Sequence, residues 1–426
     1  MRMRLLQSAL VAALGAGFCG TAAAQWTKSY VIDWYEPAMY YGAKAGVTEP
    51  GTDCPQGTNP EIDWVKVLIK AGYTPAEAKW LRDPANPSRS PVHGQNQMAF
   101  RGKHRANVYI HPETYPDPGL VGVTGDLTEG FDLDDDDAGF PSPTGGQGVD
   151  NNFYRALGCT KSYRGPPRLS SGALSTNDTM RNGAWTVVVV VHGKGHDPLN
   201  DDDIDVGFYM SSDKLVKDGN GAIARDYTFS IKPAKLEGII KARSANGVIS
   251  SKAATPEIWL RDPGGARDLQ LLRARLQLQM KADGTLEGYV GGYRPWLPVY
   301  TALVNARGPV VEILGWIELP AIYYALKKGA DYSPAGRKGE KTHISYAMRI
   351  SAIPAFVMTP DASAQVTTVA SYKDRANPAD EAPPKPAFGA IDGMVPDRKV
   401  PFGQALVVFP VPSDFAAAVS RANDDQ

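Results

Sequence analysis

The sequence predicts a mainly β protein, with an antiparallel sandwich or jelly-roll-like core, a small mixed α/β region before it and short helical inserts. Glycine and proline, at 43 and 34 of the 426 residues, make up about 18% of the chain against a usual ~12%, which favours many turns between short elements. Residues 187–191 are five consecutive valines, which favour a buried strand. Apolar and polar residues alternate at 273–293 and 342–350, as in half-buried antiparallel strands.

The first 24 residues have the pattern of a signal peptide. Arg2 and Arg4 precede an apolar stretch at 5–18, and Ala22 and Ala24 occupy the −3 and −1 positions of a cleavage site. Cleavage before Gln25 predicts export, to the periplasm or the extracellular space, and no transmembrane anchor in the mature chain. An uncleaved N-terminal anchor is the weaker alternative, because the apolar run is too short to span a bilayer.

Cleavage removes Cys19 and leaves Cys54 and Cys159. Lipid modification of Cys19 is disfavoured because Phe18 stands where a small residue normally precedes the modified cysteine. In an oxidising compartment the two remaining cysteines are expected to form a disulfide, and two separate buried thiols are the alternative.

The mature chain divides into three predicted regions. Residues 25–104 form an aromatic-rich mixed region, residues 105–360 form the β core with its acidic loops, and residues 361–426 form a proline-rich linker with a C-terminal strand and tail. Within the first region, Trp34, Tyr35, Tyr40 and Tyr41 are candidate ligand-binding rings. Packing in a core or an interface is the alternative for these rings, and it is the more frequent use of aromatic side chains.

The elements follow in chain order. Helices are predicted at 60–70 and 75–82, the second with Pro75 in its first turn. Strand 185–191 follows, then a hairpin at 273–293 that turns at Asp283-Gly284, and strand 342–350. Helical inserts are expected at 298–306 and 321–328. Residues 375–386 have linker composition, and a last strand, 405–409, is expected to return to the sheet.

One five-residue motif occurs twice. Residues 80–84 and 259–263 both read Trp-Leu-Arg-Asp-Pro. Since proline ends a regular element and the preceding aspartate bonds nearby backbone amides, the motif suits the terminus of a helix or a strand.

Two acidic clusters are candidate calcium sites. The first lies in a glycine-rich loop at 130–152 and the second at 200–207. Closely spaced carboxylates repel one another, and Ca²⁺ accepts six to eight oxygen ligands from flexible loops. The first cluster departs from an EF-hand, because Asp137 and Pro143 stand where that loop needs glycine and glutamate. The predicted ligands are Asp132, Asp134, Asp136, Asp150, Asn151, Asp201, Asp203 and Asp205. Solvated acidic side chains are the alternative for both clusters.

The charge balance and the missing motifs exclude several function classes. Forty-five basic and 46 acidic residues give a net charge of −1, so a nucleic-acid partner is not expected. No familiar nucleophile or phosphate-binding signature is present. A glycosidase needs only two carboxylates that the fold assembles, and Asp33, Glu36, Glu257 and Glu312 are unremarkable candidates.

Several turns resemble those of a group of uncharacterised exported bacterial β-rich proteins. The segments that carry the resemblance are 148–152, 157–159, 201–207, 218–221 and the hairpin turn leading to 291–293. The resemblance implies export and a β-rich fold, and it implies no activity.

The function expected from these patterns is that of an exported binding protein with a calcium-stabilised acidic loop, whose partner is a small-molecule, glycan or protein ligand of the cell envelope. An exported hydrolase that acts on a polysaccharide or another polymer through two carboxylates is one alternative. An accessory or scaffold subunit of a cell-envelope complex is the other.

Overall fold

The computed structural model describes residues 26–40, 69, 74–82, 103, 106, 108–160, 162–163, 168–231, 238–262, 268–305 and 309–358. These residues contain ten strands: β1 (Trp26–Pro37), β2 (Thr186–Gly193), β3 (Asp201–Ser211), β4 (Tyr227–Ser230), β5 (Ile239–Ala245), β6 (Val248–Ser251), β7 (Thr255–Arg261), β8 (Asp268–Met280), β9 (Leu286–Pro295) and β10 (His343–Met358). The β-rich class that the sequence predicts is confirmed.

Eight of the strands form a closed antiparallel barrel. Their order is β1-β2-β3-β5-β6-β8-β9-β10, and β1 also pairs with β10. The closure is visible at Tyr30, which faces Val189 of β2 on one side and Pro354 of β10 on the other. β7 pairs with the first half of β8, and β4 lies parallel to the end of β10.

The predicted sandwich or jelly-roll-like core is therefore wrong in its architecture. The alternating patterns correctly predict half-buried antiparallel strands, but one sheet closes on itself where a sandwich would stack two. The strand that closes it, β1, belongs to the aromatic-rich stretch that the sequence assigns to a separate N-terminal region. Its aromatic side chains are therefore part of the barrel.

The barrel interior is an apolar core. Inward-facing residues of neighbouring strands oppose each other, as Val206 opposes Ile240 and Val290 opposes Met348. The side chains in this set are all almost completely buried: Val189, Val206, Phe208, Ile240, Ile249, Leu278, Val290 and Met348. Close packing of branched and long apolar chains fills a barrel of this size.

The helices are α1 (Pro75–Arg82), α2 (Asn152–Leu157), α3 (Ser171–Arg181), α4 (Trp296–Asn305) and α5 (Pro309–Gly329). α1 confirms the helix predicted at 75–82, and α4 and α5 overlap the two predicted inserts. α2 packs against β10 and α5, and α3 packs against β1. Phe153 of α2 lies edge-on to Tyr346 of β10 at 5.0 Å between ring centroids.

No helix in the described ranges is long and apolar enough to cross a membrane.

Candidate metal centre

The first acidic cluster lies in a loop that is fastened to the outside of the barrel. The loop runs from Thr128 to Asn151, and isolated bridges join Phe131 to Asp150 and Phe140 to Val149. A Cβ atom on Gly291 of β9 would lie 2.6 Å from the Phe131 ring. The absence of a side chain at Gly291 therefore lets the loop pack directly on the strand.

Three carboxylates meet in this loop. Asp132, Asp134 and Asp150 each offer an oxygen, and these atoms all lie within 4.8 Å of one another. Asp132 and Asp134 reach this arrangement through turns, since the Asp132 carboxylate accepts the Asp135 N–H at 2.7 Å. Asp150 arrives from the second side of the loop and accepts the Leu133 N–H at 2.8 Å. Among the described residues, this is the group that brings three acidic or histidine ligands together.

A main-chain oxygen and one of these carboxylates both lie close to Gly148. Gly148 has φ +79°, and a Cβ atom placed on it would lie 2.8 Å from the Asp136 carbonyl oxygen and 3.4 Å from an oxygen of Asp132. The Asp136 carbonyl and the Asp132 carboxylate therefore both lie within 3.4 Å of the same position next to Gly148. The side chain of Asp136 is not one of the three converging carboxylates, so Asp136 would contribute through its carbonyl.

The arrangement is electrostatically costly in the absence of a cation. Burial raises the pKa of Asp150 to about 7, the Leu133 N–H partly offsets this, and the charges of Asp134, Asp331 and Asp132 raise the pKa further. Burial also raises the pKa of Asp331, against the hydrogen bonds that it accepts from Ser345. A divalent cation would remove this repulsion.

Two arginines fix the orientation of the loop. The Asp135 carboxylate bonds Arg273 at 2.9 Å and also bonds Arg275, both on β8. Asp135 has φ +64°, a conformation in which aspartate is tolerated better than most residues. Its side chain thereby points away from the three converging carboxylates and toward the barrel.

Asn151 has a structural role in this arrangement. Its side-chain oxygen accepts the Tyr154 N–H at 3.2 Å and so caps α2. Its amide nitrogen donates to the carbonyls of Ala38 and Glu129. Asn151 thus joins β1, the loop and α2, and its oxygen is already used as an acceptor.

The second acidic cluster is occupied by protein partners. Buried Asp201 accepts hydrogen bonds from the Trp26 indole and the N–H groups of Gly195 and Asp203, at 2.8 to 2.9 Å. Burial alone would raise the pKa of Asp201, but these donors together lower it. Asp203 pairs with Lys194 at 2.7 Å, and Asp205 pairs with Lys241 at 2.5 Å. The cluster therefore joins the start of β3 to β1, to the β2–β3 connection and to β5.

The candidate ligand-binding rings are mostly inside the protein. Trp34, Tyr35 and Tyr40 are buried, and the Tyr35 hydroxyl accepts a hydrogen bond from the Trp185 indole at 2.5 Å. Tyr41 lies outside the described residues. Buried rings have no free face on which a ligand in solvent could stack.

Other predicted features lie partly outside the described residues. Cys159 is buried just after α2, whereas Cys54 is outside them, so the Cys54–Cys159 disulfide stays a prediction. The signal peptide, most of the predicted helix 60–70, the linker and the strand 405–409 are also outside the described residues.

Sequence reasoning named Glu36 as a candidate carboxylate but missed its neighbours Arg349 and Glu129. Arg349 of β10 bonds Glu36 at 3.4 Å and Glu129 at 2.6 Å, and the Tyr289 hydroxyl donates to Glu129 at 3.1 Å. Glu36 is 1% exposed; burial raises its pKa, and Arg349 opposes that shift. Because the Arg349 guanidinium bonds both carboxylates and Glu36 is buried, we assign them a structural role. The alternation along β10 predicts that Arg349 is on the polar side of the strand. It does not predict that Arg349 bonds Glu36 and Glu129.

The chain matches no family model, no curated protein and no solved structure.

Proposed function

We propose that this chain is an exported binding protein in which Ca²⁺ stabilises the acidic loop on the outside of the barrel. Asp132, Asp134 and Asp150 would hold the ion, with the Asp136 carbonyl as a fourth ligand. The observation that carries the proposal is the convergence of three carboxylate oxygens within 4.8 Å of one another. The partner would be a small-molecule, glycan or protein ligand of the cell envelope.

The donor set favours Ca²⁺ over softer metals. All four candidate ligands are oxygens, and two come from turns in a flexible loop, which suits the six to eight ligands and variable geometry of Ca²⁺. Zn²⁺ and Cu²⁺ sites usually include histidine or cysteine. Water would complete the coordination at the exposed Asp134 side.

A cation here would fasten distant parts of the chain. Asp150 directly precedes Asn151, the cap of α2, and α2 packs on β10 and α5. Asp132 follows Phe131, which rests on β9. Cross-linking these two sides of the loop would hold its exposed surface in one conformation, and a preorganised surface binds a partner at lower entropic cost.

The test is a thermal melt of the mature protein after chelation and after addition of 1 mM Ca²⁺. For a dissociation constant a hundredfold below this concentration, binding stabilises the folded state by about 2.7 kcal/mol, which is several degrees for a chain of this size. Asp134→Ala should remove most of the gain. Asp137→Ala removes another exposed carboxylate of the same loop, outside the converging group, and should retain it.

Isothermal titration calorimetry on the same proteins measures binding directly. Stoichiometric Ca²⁺ binding that Asp134→Ala weakens and Asp137→Ala does not weaken supports the proposal. An equal effect of the two substitutions would mean that the loop attracts cations only through its overall charge. No binding and no shift in melting temperature would refute the calcium proposal.

A further inference from the structure

The end of β10 carries an exposed apolar face. Phe356 and Met358 are 59% and 57% exposed, whereas Ala355 between the barrel and this face is buried. Along the preceding residues both sides of β10 are covered, by the barrel core and by packed helices and loops. This burial on both sides ends where β10 leaves the barrel, after its last pairing with β1 at Pro354.

One edge of this segment has no partner strand among the described residues. Residues Ala355 to Met358 pair with β4 in parallel, and within the described ranges no strand pairs with their other edge. An open edge beside exposed apolar side chains accepts an additional strand, because the new strand satisfies backbone groups and covers the side chains together.

We infer that residues 405–409 of this chain add a strand to the open edge of β10 and cover Phe356 and Met358. These residues read Ala-Leu-Val-Val-Phe and are followed by Pro410. The run is apolar, rich in β-branched residues and ended by proline, which are the features of a short buried strand.

The connection between the two segments favours this occupant over a second copy of the chain. The described part of β10 ends at Met358, and 46 residues separate it from Ala405. A linker of that length has a root-mean-square span of about 40 Å, so it can return to the strand from which it starts. A tethered segment has an effective concentration in the millimolar range, far above that of a second protein molecule in dilute solution.

Hydrogen–deuterium exchange of the full chain, followed by mass spectrometry, tests the inference. We expect amides of 405–409 and of 355–358 to exchange at least about tenfold more slowly than unstructured peptide. Val407→Asp should abolish protection in 405–409 and reduce it in 355–358 to the level that pairing with β4 alone provides. Val366→Asp introduces the same charge elsewhere in the C-terminal region and should leave the protection unchanged.

A second comparison reports on the face itself. Phe356→Ser should expose 405–409 to exchange, whereas Leu169→Ser, which changes a side chain of the same 59% exposure, should not. Unprotected 405–409 amides in the unmodified chain would refute the inference. Protection of 355–358 that disappears on dilution would refute it in favour of a second copy, and protection at 366–369 that Val407→Asp leaves unchanged would refute it in favour of a local hairpin.

Discussion

The buried pair of Arg294 and Asp262 provides a sharp test of how this barrel is held together at one end. Arg294 is on β9, Asp262 directly follows β7, and their side chains are only 4% and 8% exposed. The guanidinium also lies over the rings of Tyr346 at 4.7 Å and Phe153 at 5.4 Å. In the described part of the chain its Nε has no hydrogen-bond partner.

Removing either partner alone should be costly. A buried ion loses its hydration, and leaving one charge unpaired in such a place costs about 3–5 kcal/mol. We therefore expect Arg294→Met and Asp262→Leu each to lower the free energy of unfolding by that amount. The double variant should recover most of the loss, because it leaves no buried charge and fills the space with apolar atoms.

Urea denaturation of the four proteins in this double-mutant cycle gives the coupling energy, which we expect to be about 3 kcal/mol or more. Lys194 and Asp203 serve as the control pair, since they also bond directly but are 47% and 48% exposed. Their coupling should not exceed about 1 kcal/mol. If the losses at Arg294 and Asp262 simply add, the two charges are hydrated separately, and the reasoning from burial is wrong.

Three further predictions concern the loop, one histidine and the second acidic cluster. Gly148→Ala should weaken Ca²⁺ binding about tenfold or more, because the new Cβ would lie 2.8 Å from the Asp136 carbonyl. Gly145→Ala has the same kind of positive φ with no atom within 4 Å, so equal effects in calorimetry would contradict this steric explanation. Burial lowers the pKa of His343 from 6.5 to about 4. Stability should therefore be full above pH 6.5 and fall by as much as about 2 kcal/mol as the pH decreases to 4. His343→Gln should flatten the pH dependence of urea unfolding, and a slope that it leaves unchanged would assign the effect to other groups. Asp201→Ala leaves three donors without their acceptor and should cost about 2–3 kcal/mol in urea unfolding, with the calcium-dependent gain retained; loss of that gain would place Asp201 in the metal site.

The strands were predictable from the sequence, but their closure into a barrel was not. Alternation along β8 and β10 and the valine run in β2 report that one or both faces are buried. They carry no information about which strand occupies the edge. The barrel closes because Tyr30 and Val31 near the start of the chain pair with Pro354 and Ile353 near the end of the described residues, and a contact across that separation leaves no local signal.

The repeated motif shows how strongly tertiary context outweighs local sequence. Its Trp-Leu-Arg segment ends α1 at Arg82 and ends β7 at Arg261. The prediction that the motif marks the terminus of an element holds in both places. The type of element differs because β7 pairs with β8, from Thr255 opposite Ala274 to Arg261 opposite Asp268, whereas no such partner strand pairs with the described residues of α1.

The loop site was predictable in part, because Asp132 and Asp134 are close in sequence and Asp150 follows a glycine-rich turn. The roles of Asp135 and Asn151 were not. Asp135 serves Arg273 and Arg275, which in the sequence are only the polar positions of an alternating strand. Asn151 immediately precedes α2, and an asparagine before a helix is a capping signal, but α2 itself is too short to stand out as a periodic pattern.

The contrast between the two acidic clusters follows from backbone geometry, although their aspartates have the same spacing. In a strand, residues two apart rise about 6.6 Å along one face, as Asp203 and Asp205 do in β3. A register shift between Asp201 and Ile204 sets buried Asp201 apart from both of them. A calcium ion bonds its oxygens at about 2.3–2.6 Å, so two ligands of one ion lie about 5 Å apart at most, and an extended strand separates its alternate carboxylates too widely. Separate carboxylates then take separate partners, namely the Trp26 indole, Lys194 and Lys241.

In the loop, Asp132 and Asp134 lie in successive turns that bend the chain, and Asp150 enters from the opposite segment. Conformation rather than composition therefore decides which cluster could hold a metal, and a substitution that straightens the 132–136 turns should abolish the site without removing a single carboxylate.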